Sequence, residues 1–173
     1  MSTELKIEFD GALLSDLPAA VRQQLGLAVE ALAGDVRDEA KRLINNTEKT
    51  GRIYGAETDV AFTAGGADVA FTAHAGKKLG DDKVHQASAP GEAPANEHGD
   101  LAASIATKQV GDLSWEIVVS DDAALALEFG TQTAGRSKNV AIAPRPFLGP
   151  ALESVRPTLE AVVASALKKA SGG

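Results

Sequence analysis

Cysteine is absent from the 173 residues, which removes disulfides, thiol nucleophiles and thiolate metal sites together. That absence suits assembly in a reducing cytoplasm. Aromatic residues make up only 4%, with one Trp, one Tyr and five Phe, so Ala, Val, Leu and Ile must build most of the core. A monomer with so few large side chains is expected to be modestly stable alone, and burial against copies of itself would add stability by mass action. Clustered positive charge is missing too. Seventeen Lys and Arg stand against 24 Asp and Glu, giving −7, and no basic run exceeds the pairs Lys41-Arg42, Lys77-Lys78 and Lys168-Lys169. Phosphate binding draws on grouped cations that release counterions, so tight nucleic-acid binding is not expected. An acidic surface does suit a channel along which DNA slides without sticking. No apolar run is long enough to read as a membrane span. Met1 to Asp10 mixes charged and apolar residues instead of resembling a signal peptide, so production and assembly in the cytosol are expected.

What is present describes one globular α+β domain over residues 1–173, with 44% apolar residues to supply its core. Leu5-Lys6-Ile7-Glu8-Phe9 alternates as a half-exposed strand does, and Asp10-Gly11 breaks it. Ser15 or Asp16 can cap the following helix, with Pro18 in its first turn. Val21, Leu25, Ala28, Leu32, Val36, Ala40 and Leu43 then form one apolar stripe on a long helix that Asn45-Asn46-Thr47 ends. Gly51-Arg52-Ile53-Tyr54 reads as a short strand. Asp59-Val60-Ala61-Phe62-Thr63-Ala64 returns as Asp68-Val69-Ala70-Phe71-Thr72-Ala73 around Gly65-Gly66-Ala67, which predicts a β-hairpin. It is either a duplicated surface hairpin or an arm that pairs with a neighbour or enters a channel.

Residues 76–95 read as a long loop, and Gly99-Asp100 as the cap of a short helix from Leu101 to Ile105. Ser114 to Val119 is a strand with apolar residues on both faces, Ala123 to Phe129 a helical turn or strand, Gly130 to Asn139 a polar loop, and Val140 to Ala143 an extended piece. Leu148, Leu152, Val155, Leu159, Val162 and Ala166 mark a last helix. Pro157 predicts a kink or two consecutive helices there. Ser171-Gly172-Gly173 should fray. The expected architecture is a long N-terminal and a long C-terminal helix on a small, mostly antiparallel sheet, with an inserted β-hairpin arm and loop at about 55–84.

Catalytic chemistry finds little support. His74, His85 and His98 fall in the middle region near Asp81, Asp82, Glu92, Glu97 and Asp100, but no pair has the helical spacing that puts two imidazoles on one face. Ordinary exposed or capping histidines are expected, with no metal and no cofactor. Ser88, Ser104 and Ser120 lie in no nucleophile elbow, and Gly65-Gly66 lacks the downstream Lys of a phosphate loop. Asp81-Asp82 and Asp121-Asp122 are adjacent pairs, as turns and caps use them. No catalytic residue is assigned.

Other residue blocks stand out more. They are Gly51-Arg52-Ile53-Tyr54, His85-Gln86-Ala87-Ser88-Ala89-Pro90-Gly91-Glu92-Ala93-Pro94-Ala95, Gly99 to Ile105, Glu128-Phe129-Gly130-Thr131, and Pro144-Arg145-Pro146-Phe147-Leu148. In this order they resemble the strand, signature loop, helix start, Glu-Phe-Gly-Thr segment and last-helix lead-in of the HK97 gp10-like family of phage neck and tail-completion proteins. The resemblance spans most of the chain. It departs between Tyr54 and His85, where the family has only a few residues and this chain carries the repeated unit.

The resemblance implies a structural virion protein, not an enzyme, at the head–tail junction of a phage, prophage or gene-transfer particle. Such a subunit would form a closed ring, six-fold by the family's pattern, meet the adjoining neck or adaptor and tail-tube proteins, and surround DNA without reading its sequence. It would be assembled in the bacterial cytoplasm. The candidate interface residues are Arg52, Tyr54, Phe62, Phe71, His85, Ser88, Pro90, Gly91, Glu92, Pro94, Glu128, Phe129, Gly130, Thr131, Arg145, Pro146 and Phe147. Proline stiffens the 85–95 loop, so it loses little entropy on docking. Phe147 reads as an anchor between elements, and Arg145 and Glu128 as a pair within or between subunits. Two other readings stay open: a metal-dependent or toxin-like accessory domain using His85, Glu97 and His98, and a transient tail-assembly factor.

Overall fold

The computed structural model describes residues 5–9, 17–54, 57–64, 67–74 and 85–170. The proposed caps Ser15 and Asp16, the Gly65-Gly66 turn, residues 75–84 with Asp81 and Asp82, and the last three residues lie outside them. The chain is an α+β fold in the order β1 (Leu5–Phe9), α1 (Ala19–Asn46), β2 (Ile53–Tyr54), β3 (Glu57–Ala64), β4 (Ala67–His74), β5 (His85–Gln86), α2 (Asp100–Ala103), β6 (Ile105–Gly111), β7 (Ser114–Val119), α3 (Ala124–Phe129), β8 (Thr131–Ala134), β9 (Val140–Ile142) and α4 (Leu148–Ala170).

One three-stranded antiparallel sheet, ordered β1-β7-β6, carries the core side of the molecule. Strand β7 is central because Ile117 and Val119 are both fully buried while its neighbours flank it on either edge. Strand β6 is a correction to the expected short helix, which ends at Ala103, so Ile105 already opens a strand. The strand lies at an edge and is exposed beyond Ile105, except at half-buried Thr107, so it shows no apolar alternation to read.

Helix α1 packs on β6 and β7, and α4 packs on α1. The stripe on α1 buries Leu25, Val29, Leu32, Ala33, Val36, Ala40 and Ile44. Val29 and Ile44 take the places expected for Ala28 and Leu43, one residue further round the same face. Pro18 stands at the N-cap, outside the first turn, with Ala19 opening the helix. Leu148 and Ala151 at the start of α4 join Ile105, Ile117 and Val119 of the sheet in the same apolar cluster. Helix α4 runs as one element through Pro157. That proline deletes a single backbone bond to the Glu153 carbonyl and sits on the exposed side, where water can satisfy the carbonyl.

The repeated unit forms the antiparallel pair β3–β4, with Val60 opposite Phe71 and Phe62 opposite Val69. A six-residue unit recurring with a period of nine and folded back between 64 and 67 must pair each Val position with the other copy's Phe position. Within the expected polar loop from Gly130 to Asn139, Thr131–Ala134 is instead strand β8, hairpinned to β9, and 135–139 makes the turn. Its β-branched Thr131 and Thr133 favour extension, and Gly135 at φ +77° turns the chain. Among the described residues no helix is long and apolar enough to cross a membrane.

Candidate functional site

Four of the five sequence blocks that stood out are wired together in one joint, and the Gly99 to Ile105 block lines the cleft beside it. Gly51 opens it, donating its N–H to the Ala87 carbonyl at 3.0 Å, while the Ala87 N–H returns to the Arg52 carbonyl at 2.9 Å. Strands β2 and β5 continue this ladder with Ile53 opposite Gln86 and Tyr54 opposite His85. A Cβ on Gly51 would lie 2.5 Å from the Ala87 oxygen and 2.7 Å from the Ser88 carbonyl carbon. Only glycine permits that approach.

The Ala-Pro-Gly-Glu segment is a tight turn. Glu92 donates its N–H to the Ala89 carbonyl at 3.1 Å, and Gly91 sits at φ +87° behind Pro90, the residue pattern of a type II turn. The Glu92 carboxylate then clasps two segments: it accepts the Ala89 N–H at 2.8 Å, the Thr50 N–H at 3.0 Å and the Thr50 hydroxyl. The Thr50 hydroxyl, then the Thr50 and Ala89 amides, with the charge of Lys49 adding to them, lower the Glu92 pKa to about 2. Lys49 itself donates to the Leu43 carbonyl at 3.0 Å near the end of α1, and its own burial lowers its pKa. Asn96 donates to the Asn45 side chain, fastening the far end of the loop to the last turn of α1. The Gly91 N–H reaches the Pro144 carbonyl at 2.8 Å.

Glu128 holds the start of α4. A helix begins with N–H groups that have no partner inside it. Pro150 has none to offer, and Ala151 bonds the Phe147 carbonyl at 3.3 Å. The Glu128 carboxylate accepts the rest: Phe147 at 2.8 Å, Leu148 at 3.0 Å and Gly149 at 2.9 Å. Its negative charge also suits the positive end of the helix dipole. Phe147 is fully buried in the core, as an anchor between elements should be.

The expected pairing of Arg145 with Glu128 within the chain does not occur, because each charge has other partners. Arg145 donates its backbone N–H to Leu127 at 2.6 Å, its Nε to the Ser88 carbonyl at 3.1 Å and its Nη1 to the Ala143 carbonyl at 3.3 Å. The guanidinium thus spans from the loop block to the last-helix block. Gly130, at φ +75°, leaves no room for a Cβ, which would meet the Ile142 oxygen and Pro144 Cδ at 2.9 Å.

Around this joint lies an open cleft of about 390 Å³ whose walls include His85, Glu97, His98, Asp100, Asp121 and Arg145. His85 Nε2 is 3.9 Å from Glu97 Oε2, beyond hydrogen-bond range. Among the described residues no three His, Asp or Glu side chains are gathered as a bound metal would need.

The candidate residues therefore divide. Ser88, Pro94, Glu128 and Phe147 are buried inside the chain, and His85, Glu92, Gly130, Thr131, Arg145 and Pro146 are half-buried in the joint. Arg52, Pro90, Gly91 and Phe129 are exposed, Phe129 at 65%. The side chains of Tyr54, Phe62, Phe71 and His74 lie outside the described residues. Sequence reasoning missed Thr50 and the Asn45–Asn96 link. Thr50 directly precedes a recognised block, which was its one available signal. Comparison with protein-family models, curated proteins and solved structures finds no match to this chain.

Proposed function

We propose that the chain is a structural subunit of a bacteriophage-type particle, a ring component of the head–tail junction that completes the tail around the DNA path. The observation that carries this reading is the convergence of four of the blocks on one joint, which stiffens the fold and leaves Arg52, Pro90, Gly91 and Phe129 at its surface. A pre-ordered surface loses little entropy on assembly, and an exposed Phe at its edge is a residue type that anchors protein contacts. The acidic balance of −7 fits a ring that DNA passes without adhering. No residue performs chemistry in this reading. Its partners are copies of itself, adjoining neck proteins and the tail tube.

Negative-stain imaging and sedimentation of the purified chain test it, together with mass spectrometry of purified particles. Closed rings and presence in particles are the expected results. A chain that stays monomeric at every concentration and is missing from particles contradicts the reading.

A further inference from the structure

We propose that the acidic cleft of one copy receives the basic turn of the β8–β9 hairpin from a second copy. The inference rests on the self-assembly reading above and names the two surfaces that meet. The hairpin is rooted at the joint, where Thr131 faces Ile142 in register and Gly130 packs against the Ile142 carbonyl. Its turn lies several residues further on, roughly 13 Å from the root at the rise of a strand.

That turn, Gly135-Arg136-Ser137-Lys138, is closed by the Lys138 N–H on the Gly135 carbonyl at 3.1 Å. Arg136 and Lys138 are exposed, and neither side chain has a partner among the described residues. Lys138 sits at φ +52°, a left-handed conformation that glycine or asparagine holds with less strain. A lysine there presents charge that the turn itself does not use.

The cleft offers the complement. Glu97, Asp100 and Asp121 stand in its walls against a single guanidinium, Arg145, which is already engaged by the Ser88 and Ala143 carbonyls. Glu97 and Asp100 are exposed, and Glu97 has His85 only at 3.9 Å. The turn and the cleft are made of different residues of one chain, so a contact in which each copy hands its turn to the next is head-to-tail and closes into a ring where the rotation allows. Opposite charges at such a contact fix partner and register more than they add affinity.

Sedimentation velocity on the full chain and its exposed-residue variants tests the contact. Arg136→Glu with Lys138→Glu, and separately Glu97→Lys with Asp100→Lys, should each weaken ring formation by at least about tenfold, since like charges then meet. The chain carrying all the reversals should assemble as the unaltered protein does, and every variant should melt at the unaltered temperature. If rings form normally in both single-surface variants, the contact lies elsewhere while the self-assembly reading stands. If both lose rings and the combined reversal fails to restore them, direct pairing is overturned. If the unaltered chain never forms rings, both proposals fall together.

Discussion

The inner and outer sides of the joint use neighbouring residues for opposite ends. Glu128 and Phe129 are adjacent, yet the carboxylate is buried against three backbone amides while the aromatic ring is 65% exposed. Phe147 shows the contrast again, with a phenylalanine of a neighbouring block fully buried. The lesson is that membership of a conspicuous motif does not say which way a side chain serves. Burial separates residues that hold the fold together from those that stand at its surface.

The inner side breaks first. Phe147→Ala should cost about 4 kcal/mol of folding stability in urea denaturation, because it empties the centre of the core. Glu128→Ala should cost about 3 kcal/mol, since it removes a charged acceptor from buried amides at a helix start. Gly51→Ala should cost about 2 kcal/mol by forcing β2 from the Ala87–Ser88 backbone. A result near zero for any of these would erase the proposed inner side.

Glu92 sharpens the comparison because its clasp lies at the surface. Its carboxyl pKa falls from the ordinary 4.5 to about 2 in the folded chain. A depressed pKa contributes stability that is complete above about pH 4.5 and is lost as pH falls from there toward 2. Melting temperature followed over that window should show this acid loss in the unaltered chain. Glu92→Gln should remove that component and be the smaller change at neutral pH. An unchanged acid profile would mean that the clasp does not hold in solution.

Much of the fold was legible because it follows short-range rules. The stripe on α1 obeys helical period, and the repeated unit with its Gly-Gly break can fold back on itself in one register. The expected α+β architecture stands. Strand β6 was illegible because an edge strand with one buried residue carries no alternation. Strand β8 was hidden by its polar side chains. Pro157 does not divide α4 into two helices, because a missing donor on an exposed helix face is tolerated within one helix. The blocks were conspicuous in sequence, but their wiring was not. Glu128 meets amides about twenty residues away, and Arg145 reaches Ser88 across the fold, and no spacing rule encodes either partner.

The outer side is tested most directly by replacing Phe129 with Asp and measuring assembly and melting on the same sample. Because the ring is exposed, stability should change by no more than about 0.5 kcal/mol. The sedimenting ring should disappear and leave a folded monomer. Rings that persist with Phe129→Asp would show that this side is not a contact surface, and a collapsed melting temperature would show that Phe129 belongs with the inner side after all.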